Sequence, residues 1–226
     1  MTKKILCIGS SIDLPRKGVL YSDTWISLLR VAYLGKDIEV VNRSLWAQTS
    51  KILVEPQQLE FIKPDITIIN LGIVDSAPRK IFEKYLLHRG IEKLLFKYTL
   101  WFIFPYRLKG AAFVSIKDFE YNLKNYFDRF YRCAGKNGII IVCKIGIPNY
   151  TMILKNKKIK ENVTAYNKCL ETLCSKYDYV KLIDPLYDAT NKNLYLPDGY
   201  HINVIGHYEF FVAIKKELKK YFNDEK

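Results

Sequence analysis

Asp198 and His201 stand three residues apart in Leu196-Pro-Asp-Gly-Tyr-His-Ile-Asn-Val-Ile-Gly-His207, just ahead of an apolar stretch with helical spacing. A carboxylate that holds one imidazole nitrogen leaves the other free to take a proton. A serine hydroxyl that hands over that proton becomes a nucleophile. The matching serine is to be sought in Ile5-Leu-Cys-Ile-Gly-Ser-Ser-Ile12, where an apolar run breaks at Gly9 and leaves Ser10 and Ser11 beyond an expected strand end. Together these stretches suggest a Ser–His–Asp triad built from the two termini. Each half also has a plainer reading: Asp198 caps the last helix with His201 as a turn residue, and Gly-Ser-Ser forms a turn with a helix cap. Their placement, one after the first expected strand and the other before the last expected helix, favours catalysis.

The elements that must position these groups follow from hydrophobic periodicity. Strands are expected near Lys3–Ile8, Asp37–Asn42, Asp65–Leu71, Gly138–Lys144 and Tyr179–Ile183. Helices are expected near Tyr21–Tyr33, Glu55–Ile62 (closed by Pro64), Ile116–Cys133, Glu161–Lys176 and Val204–Phe222. The runs at 65–71 and 138–144 carry apolar residues on both faces, as central parallel strands buried on both faces do. Alternating strands and helices predict one α/β domain, a three-layer α/β/α sandwich around a five-stranded parallel sheet. A site in such a sheet lies outside the carboxyl ends of the strands.

The 226 residues, 49% of them hydrophobic, suit one well-buried core. Lys and Arg outnumber Asp and Glu by 36 to 23, which raises the question of an anionic partner. The basic residues are scattered, apart from the short run Lys155-Asn-Lys-Lys-Ile-Lys160, and no zinc-finger or RNA-binding pattern accompanies them. A specific nucleic-acid partner is therefore not expected. The five cysteines lack C-x-x-C pairs and read as reduced core thiols of a cytoplasmic protein. Met-Thr-Lys-Lys is followed by an apolar run too short for a secretory signal, so no cleaved signal is expected. Three histidines and no H-E-x-x-H or cysteine cluster give no reason to expect a metal or another cofactor, and His207 reads as a structural helix residue.

One region breaks the alternation, an insertion at about residues 85–113 that holds the apolar run Leu94–Tyr106 between His88, Arg89, Lys93, Arg107 and Lys109. It is too short for a membrane span of about 20 residues. It suits a core helix, a lid, a dimer surface or a peripheral membrane contact. Oligomeric state is open.

Four short blocks resemble those of the GDSL/SGNH hydrolase family, and the resemblance spans nearly the whole chain. Gly9-Ser-Ser-Ile12 is similar to the first block, Gly-Asp-Ser-Leu, which implies Ser11 rather than Ser10 as nucleophile. Asn42-Arg-Ser-Leu-Trp-Ala-Gln-Thr49 resembles the second, with Ser44 and Ala47 at the glycine positions. Gly72-Ile-Val-Asp75 resembles the third, Gly-x-Asn-Asp, and Asp198-Gly-Tyr-His201 matches the last. The resemblance implies a flavodoxin-like SGNH hydrolase fold, a Ser11–His201–Asp198 triad and an oxyanion hole using the backbone N–H groups of Ser11 and Ala47. Val74 stands where the family's asparagine would donate, and valine has no donor. Asn70, Ser76 and Arg79 are candidate replacements, with Arg79 preferred because a guanidinium binds oxyanions well. Asp13 and Asp75 read as loop-ordering carboxylates. The implied activity is hydrolysis of small acyl esters, O-acetyl groups on a carbohydrate or glycan among them. The alternatives are O-acyl transfer through the same intermediate, or a catalytically weak binding protein of the same fold.

Overall fold

The computed structural model describes residues 2–55, 57–78, 112–187 and 193–223. Five short apolar segments form strands β1 (Lys3–Gly9), β2 (Ile38–Asn42), β3 (Ile66–Asn70), β4 (Ile139–Cys143) and β5 (Val180–Ile183). They pair in parallel, in the order β2-β1-β3-β4-β5. Register places Ile5 of β1 opposite Val40 and Ile66, Ile66 opposite Ile139, and Ile140 opposite Val180. Every residue of β3 and β4 is buried, whereas the edge strand β2 has none that is. The expected fold class and all five strands are present.

Side chains of a strand alternate between its faces, and two apolar cores result. Leu6 and Ile8 of β1 and Ile140 and Val142 of β4 join one core, completed by Phe119, Phe127, Val163 and Leu170. Ile5 and Cys7, with Ile139 and Ile141, join the other, completed by Trp25, Leu29, Phe210 and Ile214. The helices are α1 (Trp25–Ala32), α2 (Gln57–Ile62), the single turn α3 (Ile73–Ser76), α4 (Ile116–Ala134), α5 (Tyr150–Lys155), α6 (Ile159–Cys174) and α7 (Val204–Asn223). Helices α4 and α6 thus cover one face of the sheet, and α1 and α7 the other.

Polar caps decide where several helices begin. The helix expected from Tyr21 starts at Trp25, because the Thr24 side chain accepts from the Ser27 N–H and Tyr21–Asp23 forms a separate 3-10 turn. Ser115 caps α4 by accepting from the Asp118 N–H at 3.1 Å. Asn149 caps α5, a helix not expected from the sequence because six residues give too little periodic signal.

The chain leaves β1 toward β2 on one side and returns to β3 on the other, which opens a crevice at the carboxyl ends of β1 and β3. Ser11 follows β1 and Gly72–Ser76 follows β3, so both border that crevice. Among the described residues no helix is long and apolar enough to cross a membrane. All five cysteines are free, but only Cys7, Cys143 and Cys174 are buried; Cys133, near the end of α4, is exposed and so is not the core thiol expected. The run Leu94–Tyr106 and almost all of the insertion around it lie outside the described residues; Ala112, at its end, bridges back to Pro78.

Candidate active site

Ser11 opens a one-turn 3-10 helix, Ser11–Asp13, immediately beyond β1. Its Oγ lies 3.0 Å from His201 Nε2, across 190 residues of chain. Ser10 is wholly buried, and its Oγ has no hydrogen-bond partner among the described residues. Of the two serines, then, the fold brings Ser11 to the imidazole.

The loop bearing Asp198 and His201 is shaped by its own backbone. Leu196 N–H donates to the His201 carbonyl at 2.8 Å and Gly199 N–H to the Leu196 carbonyl at 2.9 Å. Asn149 N–H ties the loop to α5 through the Gly199 carbonyl at 2.7 Å. Asn203 then caps α7, its Oδ1 accepting from Gly206 N–H at 3.0 Å. Within this frame Asp198 Oδ1 accepts from the N–H groups of His201 (3.0 Å) and Tyr200 (3.2 Å), and Oδ2 lies 2.7 Å from His201 Nδ1. The carboxylate sets the tautomer: Nδ1 carries the proton and Nε2 keeps its lone pair toward Ser11. Burial is the main reason the His201 pKa falls below its ordinary value, and the Arg16 guanidinium adds to it against the opposing pull of Asp198. Burial alone would raise the Asp198 carboxyl, but hydrogen bonds from His201 and Tyr200 outweigh it and hold the group below the usual range.

Beneath the serine lies a second carboxylate. Asp13 accepts from Trp25 Nε1 (2.7 Å), Asn70 Nδ2 (2.6 Å) and Ser44 Oγ (3.0 Å). Burial raises its pKa to about 6, against these three donors. The group ties β1, α1, the loop after β2 and the end of β3 together under the Ser11 turn. Its closeness explains Gly9, where a Cβ would meet Asp13 Oδ2 at 1.5 Å. Asp75 does similar work on the next loop, accepting from Ser50 N–H at 2.9 Å and Ser50 Oγ at 2.6 Å. Burial raises it to about 6 as well.

A cavity of about 360 Å³ opens beside Ser11 and His201, walled by Ile73, Val74, Ala77 and Pro78 on one side and Met152 and Ile159 on the other. Ala47 and Trp46 also line it. As the first residue of its turn, Ser11 has an N–H with no intrahelical acceptor. Among the described residues, neither the Ser11 nor the Ala47 N–H is taken up by a hydrogen bond. Ala47 has φ +54, a left-handed conformation that side chains disfavour. That gives a backbone reason for a glycine at this position, which alanine meets under strain. Val74 is buried on the cavity wall. Two of its candidate replacements are engaged elsewhere: Asn70 donates to Asp13, and Ser76 Oγ donates to the Ile73 carbonyl at 3.3 Å. Neither lines the cavity. Arg79 lies outside the described residues.

His207 is wholly buried on α7, where Trp25 N–H donates to its Nδ1 at 3.3 Å. Burial pushes its pKa down to about 4. Among the described residues no three His, Cys, Asp or Glu side chains are grouped to hold a metal. Sequence reasoning missed Arg16, whose guanidinium donates to the Ser11 carbonyl and lies over the Trp46 ring. It also missed the α5 wall, whose only local signal is the Asn149 cap.

No family model matches the sequence, and no curated protein matches it. Solved structures do. The lipase/acylhydrolase from Enterococcus faecalis is 17% identical, with a TM-score of 0.64 over 96% of each chain. The psychrotrophic esterase EstA from Pseudoalteromonas sp. is 18% identical, with a TM-score of 0.63 over 98% of this chain and 99% of that one. A carbohydrate acetylesterase family member from Sinorhizobium meliloti is 15% identical, with a TM-score of 0.65 over 98% of this chain and 99% of that one. At these identities the likeness establishes a shared fold along the length of the chain.

Proposed function

We propose, from a fold shared with esterases and lipases, that this chain is a serine ester hydrolase acting through Ser11, His201 and Asp198. The observation that carries the reading is the unbroken line of polar contacts at the cavity wall, 3.0 Å from Ser11 Oγ to His201 Nε2 and 2.7 Å from His201 Nδ1 to Asp198 Oδ2. A neutral imidazole in this tautomer is ready to act as a base, and its lowered pKa keeps it so at neutral pH.

In the reaction Ser11 Oγ attacks the acyl carbonyl carbon while its proton passes to His201 Nε2. Asp198 stabilises the imidazolium that forms. The oxyanion takes the N–H groups of Ser11 and Ala47. The intermediate collapses, the leaving alcohol collects the proton from Nε2, and the acyl group remains as an ester on Ser11. Water activated by the same imidazole then releases the acid and restores the serine.

The cavity falls in the range of about 300–1,000 Å³ typical of small-ligand sites. Its apolar walls suit a small acyl group, and an O-acetyl ester of a carbohydrate is the substrate class we favour. Transfer of the acyl group to a sugar hydroxyl would use the same intermediate. Val74 favours a second reading, a weakly catalytic binding protein, because loss of one oxyanion donor costs about 10²–10³ in turnover.

A fluorophosphonate probe with p-nitrophenyl acetate turnover tests the reading. Covalent labelling of Ser11 is expected, with labelling and turnover both lost in Ser11→Ala and His201→Ala. Undiminished labelling of folded Ser11→Ala overturns it.

A further inference from the structure

We propose that Arg16 is a positioning residue that clamps the loop bearing the Ala47 N–H to the turn bearing Ser11, an inference that rests on the serine hydrolase reading. The flanks of that loop are tied to β1 by other groups. Arg43 N–H donates to the Cys7 carbonyl at 2.8 Å, and Leu45 N–H (3.3 Å) and Gln48 Nε2 (2.8 Å) both reach the Gly9 carbonyl. Trp46 and Ala47 lie between these ties. Trp46 is 64% exposed, so the core does not hold it. Arg16 reaches it, with its guanidinium 5.0 Å from the ring centroid. The same guanidinium donates to the Ser11 carbonyl.

A guanidinium suits both contacts, because its planar fork can donate to a carbonyl while its delocalised charge lies over an indole. The two N–H groups assigned to the oxyanion belong to separate loops, one with Ser11 and one with Ala47, and their spacing must match a single oxygen. Arg16 joins these loops on the outer side of the site. Ala47 is also in the strained left-handed region, in a turn that Gln48 N–H closes on the Leu45 carbonyl at 3.4 Å, and Arg16 adds a hold from outside that turn.

Arg16 has a second consequence, electrostatic rather than geometric. Among the described residues, the charged and titratable groups facing His201 are Asp198 and Tyr200 on its own loop and Arg16 from the β1–α1 connection. Lys155 of α5 lines the same cavity. Arg16 disfavours the imidazolium, and Asp198 favours it.

The clamp and the charge are separable by substitution. Arg16→Lys keeps the charge and loses the fork. It is expected to lower kcat for p-nitrophenyl acetate by about 10- to 100-fold with little change in KM and no movement of the acid limb. Arg16→Met should lose kcat similarly and also move the acid limb of kcat/KM to higher pH, because a cation that opposed imidazolium formation is gone. Trp46→Ala should lower kcat as Arg16→Lys does without moving the acid limb, and the loss in the double variant Arg16→Met/Trp46→Ala should be smaller than the two single losses combined. A merely structural role would lower the melting temperature without this division between the variants. Folded Arg16→Lys and Arg16→Met proteins with wild-type kcat and an unmoved acid limb overturn the proposal. Should the wild type neither turn over the ester nor label at Ser11, the hydrolase reading fails. The contact is then read by NMR titration of the His201 imidazole, where an upward shift in Arg16→Met supports the placement of Arg16 and an unchanged one refutes it.

Discussion

Replacing Ala47 with glycine tests the backbone strain at the loop proposed to bind the oxyanion. At φ +54 the Ala47 methyl is held in a left-handed conformation that costs an L-residue about 1–2 kcal/mol. Glycine removes that cost but adds flexibility to the unfolded chain, which costs about 0.4–1 kcal/mol. The balance is a stabilisation of about 0.5–1 kcal/mol, equivalent to a rise in Tm of about 1–4 °C for a chain of this size. The N–H survives the substitution, so ester turnover should be retained. Ala47→Val makes the opposite change, because a β-branched side chain at positive φ is more strained still. It should lower both stability and turnover. Urea unfolding analysed by linear extrapolation, with thermal melts of the same three proteins, gives the comparison. An Ala47→Gly protein that loses more than about 1 kcal/mol would refute the reasoning, since methyl contacts would then outweigh conformational strain.

Val74→Asn introduces a side-chain donor at the cavity wall. If the protein stays folded, p-nitrophenyl acetate turnover should rise, by up to about 10²-fold for a well-placed amide. A stable variant with unchanged kcat would mean that another group already fills that place. Because burial and Arg16 lower the His201 pKa, the acid limb of kcat/KM should have its midpoint below the ordinary histidine value of about 6.5; a midpoint above it contradicts the site's electrostatics. Buried neutral His207, with its pKa pushed down to about 4, gives stability that is complete above about pH 6.5 and is lost as pH falls toward 4. The loss is about 3 kcal/mol, and urea unfolding of His207→Asn should be less acid-sensitive than wild type by this order. Asp13 and Asp75 act in the opposite sense. Their raised values of about 6 give stability that is present below the ordinary carboxylate pKa and lost as pH rises through 6, so the difference between wild type and His207→Asn at each pH isolates His207.

Much of this molecule is legible without its structure, because the signals are local. The runs at 65–71 and 138–144 read as strands covered on both faces, and the helical spacing between strands implied the crossovers of a parallel sheet. Asp198 and His201 are three residues apart, so their contact depends mainly on the shape of one loop. The blocks around Ser11 and His201 could be read as residue types in order along the chain. What periodicity could not supply were the short or capped elements: α5 is six residues long, and Thr24 moves the start of α1 to Trp25.

Tertiary structure alone decided which polar groups each residue spends itself on. Asn70 and Ser76 looked available to replace the donor absent at Val74, yet one is bound to Asp13 and the other to the Ile73 carbonyl. Arg16 carries no signal in the sequence that sets it apart from the other scattered basic residues, and it lies between the Ser11 carbonyl and the Trp46 ring. Position 47 could be seen as alanine, but only the backbone reveals the left-handed φ that makes its methyl costly. The physical reason is range. Strand and helix patterns arise from neighbours within a few residues, whereas a hydrogen bond from Ser11 to His201 spans 190 residues and exists only after the sheet has brought the two ends of the chain together.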